Sequence, residues 1–120
     1  MSVKNAWLIR LTAAADADFE SIVRWTEDRF GTKQAREYAE TLSLAIAALS
    51  DGPSVAGVRS RADILKGLYA LHVARRGRKG RHFVMFQIGN DRGRQVIEIL
   101  RLLHDSMDLP RHLSQADDAP

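Results

Sequence analysis

Arg81-His-Phe-Val-Met-Phe-Gln-Ile-Gly-Asn-Asp-Arg-Gly-Arg-Gln-Val-Ile-Glu-Ile-Leu-Arg-Leu-Leu-His104 reads as two strands joined by a turn. Phe83 to Ile88 is aromatic and β-branched. It is apolar on both alternation sets, which suits a strand covered on both faces. Gly89-Asn-Asp-Arg-Gly93 has turn chemistry, because Gly, Asn and Asp tolerate positive φ. Val96 to Leu103 is the second strand. Strict alternation places Val96, Leu100 and Leu102 on one face with Glu98, and Ile97, Ile99 and Leu103 on the other with Arg101. A lone two-stranded hairpin is marginal in water, so the rest of the chain must cover it.

Ala6 to Leu11 reads as a first strand. Thr12 is a good N-cap, and Asp16 and Asp18 suit the positive end of a helix dipole. Phe19, Ile22, Val23, Thr26 and Phe30 then recur on one face of an amphipathic helix. Gly31 suits the position just past its end, and Thr32 is expected to cap a second helix at once. Ala35, Tyr38, Ala39, Leu42, Ile46 and Leu49 keep helical spacing until Asp51-Gly-Pro53. Two helices with almost no linker form an αα-hairpin. Ser54 to Gly67 has no clear period and is expected to be loop. Leu68 to Ala74 is a further strand, and Arg75 to Arg81 is a basic turn. The order β-α-α-β-β-β predicts an α+β fold: a helical hairpin packed on a small, mainly antiparallel sheet.

A chain of 120 residues supports one core. We expect a single domain over residues 1–113 and a disordered acidic tail at 114–120. With no cysteine, disulfides and thiolate metal sites are excluded. No apolar run approaches the roughly 18 residues of a membrane span, and no secretory h-region is visible, so a cytoplasmic protein is expected. The net charge of +3 hides an asymmetry. Residues 1–51 carry 6 Lys/Arg against 8 Asp/Glu, residues 52–101 carry 11 against 3, and residues 102–120 carry 1 against 4. The basic middle points to a polyanion or an acidic protein partner; the plainer reading is a solvated basic loop.

Several segments together resemble the ParE branch of the RelE/ParE toxin superfamily. They are Leu11-Thr-Ala-Ala-Ala-Asp-Ala-Asp-Phe19, Arg29-Phe-Gly31 with Ala35, Leu49 to Pro53, Gly67-Leu68 and Phe83-Val-Met-Phe86. The most telling is Ile97-Glu-Ile-Leu-Arg-Leu-Leu-His104 followed by Met107-Asp-Leu-Pro-Arg-His-Leu113. The resemblance implies the toxin of a type II toxin–antitoxin pair, forming a hetero-oligomer with a small ParD-like antitoxin whose extended and helical C-terminal region wraps it. ParE relatives poison DNA gyrase, whereas RelE relatives cut mRNA on the ribosome. The resemblance favours gyrase inhibition, with no cofactor and no metal. A ribosome-dependent endoribonuclease and a non-toxic antitoxin-binding module are the alternatives.

The residues weigh on that choice. A ribonuclease needs a base or acid beside the attacked 2′-OH and cations around the phosphate. Arg101 and His104 lie where RelE-like enzymes keep catalytic residues, and Arg59 and Arg61 are candidate phosphate clamps. The structural readings are that Arg101 pairs with an acid at the sheet edge, that His104 caps the strand end and that His72 serves packing. The lysine set and late tyrosine of RelE-like enzymes have no clear counterpart, since the only tyrosines are Tyr38 and Tyr69. Asp105 and Asp108 are expected to be solvated, leaving His104 without a second catalytic group. Arg75, Arg76, Arg78, Lys79 and Arg81 form a basic, target-facing set without interleaved aromatics. Trp25 and Leu44 fall off the two helical stripes and are candidate antitoxin contacts.

Overall fold

Thr12 turns the chain from strand into helix. Its hydroxyl accepts from the Ala15 N–H at 3.0 Å, as an N-cap should, and donates to the Leu100 carbonyl at 2.9 Å. The computed structural model describes residues 6–107 and Leu109. Within them, β1 (Leu8–Leu11) leads into α1 (Ala13–Phe30) and α2 (Thr32–Ala48). A short 3₁₀ turn (Leu49–Asp51) and the strands β2 (Arg59–Ser60), β3 (Leu68–His72), β4 (His82–Asp91) and β5 (Arg94–His104) follow. The sheet order is β1-β5-β4-β3-β2, with β1 parallel to β5 and the other pairs antiparallel. This is the expected α+β fold with one strand more: β2, at the edge of β3, is too short to show a period.

Gly31 at φ 93° closes α1, donating its N–H to Glu27 O, and also serves as N-cap of α2. Thr32 is therefore the first residue inside α2 rather than its cap. Its hydroxyl donates to Glu27 Oε2 instead. One glycine doing both jobs leaves no room for a separate capping side chain. The β4–β5 turn also differs from expectation. Arg92 at φ 54° and Gly93 at φ 83° form the two-residue connection, as hairpins with positive φ at both central residues do. Gly89, Asn90 and Asp91 belong to β4.

The alternation of β5 is broken. Phe86 pairs with Ile99 but Met85 pairs with Arg101, so Leu100 is an extra residue, a β-bulge. Before the bulge, Ile97 and Ile99 join the core under the helices. After it, Leu102 joins that core and Leu103 goes to the opposite cluster, the reverse of what unbroken alternation gives. The bulge lies just past the end of β1, and α1 meets its backbone. Thr12 takes the Leu100 carbonyl, and Asp18 accepts from the Leu102 N–H at 2.9 Å.

The main core joins Leu42, Ala45 and Leu49 of the helical layer to Leu71, Val84, Phe86, Ile97, Ile99 and Leu102 of the sheet. Phe86 is its largest fully buried side chain. A smaller cluster of Leu68, Ala70, Met85, Leu103 and Leu109 covers the other face, as expected for Phe83–Phe86; Ile88, at the far end of that stretch, is exposed instead. Phe30 departs from the predicted stripe. It ends α1 at 62% exposed and packs edge-on against Trp25, with ring centroids 6.0 Å apart. None of the described helices is long and apolar enough to cross a membrane. The proposed tail, residues 114–120, lies outside the described residues.

Candidate functional site

The bulge decides what gathers at one end of the sheet. It shifts the β4–β5 register by one, setting His82 opposite His104. Their rings meet edge-to-face, 5.2 Å between centroids. α2 adds Tyr38, whose hydroxyl lies 2.7 Å from His82 Nδ1. β3 adds His72, whose Nε2 lies 3.0 Å from Asp105 Oδ2, and Arg81 Nε donates to the same carboxylate at 3.0 Å. Gly80 permits the close approach of α2: a Cβ there would stand 2.5 Å from Val73 and 2.9 Å from the Tyr38 hydroxyl. Three histidines, a tyrosine, an aspartate and an arginine thus meet at the strand end where sequence reading placed Arg101 and His104.

Their hydrogen bonds fix their chemistry. Backbone N–H groups only donate. The Ala74 N–H reaches His72 Nδ1 at 3.0 Å, and the Ser106 N–H reaches His104 Nδ1 at 3.1 Å, so both nitrogens are acceptors. The Tyr38 oxygen accepts from the Arg81 N–H at 3.0 Å and shares a second hydrogen bond with His82 Nδ1. The Nδ1 atom of each of the three rings is thus engaged by a neighbouring group. Burial, reinforced by the neighbouring His104, lowers His82 to about 4. Burial also raises the Tyr38 hydroxyl. Hydrogen bonds from Arg81 and then His72 hold Asp105 well below the carboxylate range. Its side chain is 20% exposed, so Asp105 is a paired, shielded group and not the solvated tail residue expected. Asp108 lies outside the described residues.

The four ribonuclease candidates do not converge. Arg101 grips Asp18 through two bonds, Nε to Oδ2 at 2.7 Å and Nη2 to Oδ1 at 2.9 Å. That bond raises the Arg101 pKa and pins α1 to the bulge. Arg61 is paired with Asp63. Arg59 is exposed on β2, three strands from β5, or about 14 Å at normal strand spacing. His104 holds Ser106 and closes the strand end. Among the described residues, no three His, Asp or Glu side chains converge as a metal would require.

The basic turn divides in two. Arg78 reaches back to α2, donating to Thr41 Oγ1 at 2.8 Å, to the Glu37 carbonyl at 3.1 Å and to Glu40 at 3.1 Å. Arg81 is tied to Asp105, and Arg75 reaches the Ala56 carbonyl at 3.3 Å. Arg76 and Lys79 are exposed and have no ion-pair partner among the described residues. On the helices, Trp25 is 53% and Leu44 49% exposed, in keeping with their positions off the stripes. Arg29 lies 5.1 Å over the Trp25 ring.

The model of the family "ParE toxin of type II toxin-antitoxin system, parDE" matches residues 9–109. The chain belongs to the ParE toxin family. It is 33% identical to Toxin ParE1 of Caulobacter vibrioides over 104 residues, covering 87% of this chain and 95% of that protein. It is 30% identical to Toxin ParE of Escherichia coli over 104 residues, 87% of this chain and 90% of that one. Among solved structures, a chain from the "Chromosomal ParDE TA system from P. aeruginosa" superposes with a TM-score of 0.67 at 18% identity, covering 84% of this chain and 98% of that chain. A "YoeB/ParE toxin from Agrobacterium tumefaciens" does so at 0.55 and 13% identity, covering 81% and 96%. The ParE match spans β1 from Ile9, both helices, β2 to β5 and Leu109, and so takes in the buried residues of both cores. The sequence signal for the polar cluster was the register: counting outward from a two-residue Arg92-Gly93 turn brings His82 within one position of His104.

Proposed function

We propose that this ParE-family chain arrests growth by inhibiting DNA gyrase in the cytoplasm, held inactive by a ParD-like antitoxin encoded beside it. The family match across residues 9–109 carries the reading. The polar cluster supports it: a general base needs a free ring nitrogen facing the substrate, and the Nδ1 atoms of His72, His82 and His104 are each bound to a neighbouring group. The cations that would clamp a phosphate are dispersed or paired with carboxylates. Exposed Trp25 and Leu44 offer the antitoxin apolar anchors, and Arg76 and Lys79 offer charge to an anionic target.

One observation favours the RelE-type ribonuclease: His82, His104, Tyr38 and Arg81 do gather at a strand end, where such an enzyme would keep its groups. The two readings separate in one assay. Purified protein mixed with gyrase and relaxed plasmid should block supercoiling, and added antitoxin should restore it. Normal supercoiling at excess toxin would contradict gyrase inhibition.

A further inference from the structure

Beside α2, Leu44, Ala48 and Val55 line an open groove of about 350 Å³, and Arg75, Arg76 and Arg78 line it with them. Asp51 is the one acidic residue in that lining. The three arginines are held in different ways. Arg78 is bound to α2 and is a fixed wall. Arg76 sits at φ 54°, a conformation rare for a side chain larger than glycine, and is exposed. Arg75 has one long bond to Ala56, while its Nε is shut off from solvent with no acceptor among the described residues. A buried donor without an acceptor is unfavourable, and a carboxylate arriving in the groove would let Arg75 turn and satisfy it.

We propose that this groove seats an acidic amphipathic segment of the antitoxin, an apolar side chain against Leu44, Ala48 and Val55 and a neighbouring carboxylate between Arg75 and Arg76. Naming the antitoxin as the owner of that segment rests on the neutralised-toxin reading above. Charge complementarity selects an acidic occupant, and the apolar lining selects a peptide over a phosphate backbone. No aromatic ring lines the groove, so nucleic-acid bases have nothing to stack on. Trp25 does not line it and would make a separate contact.

Calorimetric titration of the full chain with the purified ParD-like protein of the adjacent reading frame tests this. Leu44→Glu should weaken binding by roughly thirtyfold or more, as loss of an anchor does. Arg75→Met should weaken it by roughly tenfold and flatten its dependence on salt. Both variants should melt like the parent, which separates lost docking from lost folding. Parent-like affinity in both variants would place the antitoxin elsewhere and overturn the groove. A parent that binds no such protein would contradict the neutralised-toxin reading and the groove with it. Self-association abolished by Leu44→Glu would assign the groove to a second copy and overturn the proposal.

Discussion

The end of the sheet and the outer surface of the helical hairpin both carry residues that look functional, yet they stand in opposite states. At the sheet end, polar groups are numerous and internally satisfied: Tyr38, His72, His82, His104, Arg81 and Asp105 bind one another and the adjoining backbone. On the hairpin, Trp25, Phe30 and Leu44 are large, apolar and left in water. A satisfied network stabilises a fold. An exposed apolar group instead stores binding energy that a partner can release. On the proposed reading the chemistry-bearing residues are structural, and the chemically inert ones form the candidate recognition surface.

That division fails if changes at the polar groups spare stability or if changes on the hairpin reduce it. The largest expected effect is at the bulge. Asp18→Ala leaves Arg101 unpaired and the Leu102 N–H without its acceptor, and should lower stability by about 3 kcal/mol in urea denaturation. Trp25→Ala should do the reverse: weaken antitoxin binding by about 2 kcal/mol in calorimetry while leaving the melting temperature nearly unchanged.

Acid gives a third effect of similar size. His82 is lowered from 6.5 to about 4, so the unfolded chain takes up its proton first as pH falls. Its contribution is therefore complete above pH 6.5 and is lost as pH falls towards 4. The loss is on the order of 2 kcal/mol once water reaching the ring is allowed for. Asp105, held below its ordinary 3.8, adds its loss only at still lower pH. Denaturation midpoints across this range check the sign. Smallest is Tyr38→Phe, at about 1 kcal/mol in the same denaturation.

Much of the fold was legible because it rests on periodicity and caps. Thr12 and Gly31 announce α1, Leu42 and Leu49 face the core, and Phe83–Ile88 needs cover on both sides. The bulge was not legible, since nothing in Ile97 to Leu103 distinguishes an inserted residue from its neighbours. It follows from Thr12 and Asp18, distant in sequence, meeting the backbone of β5. With the bulge unseen, Leu102 and Leu103 were placed on each other's faces and the His82–His104 pairing was missed. The two-residue β2 and the shared glycine cap failed for a related reason: each depends on what lies beside it, not on its own residues. Trp25 and Leu44 were legible because each sits on its helix away from the apolar stripe, whereas Phe30, on the stripe but at the helix end, was not.

The division of roles is tested most directly by mapping mRNA ends, by primer extension, on translating ribosomes incubated with purified parent protein and with its His82→Ala and His104→Ala variants. The expected result is no new ends with any of the three, while all three, where folded, block gyrase supercoiling. Codon-specific cuts made by the parent and lost in either variant would show that the sheet end performs catalysis, and would contradict its assignment as a structural network.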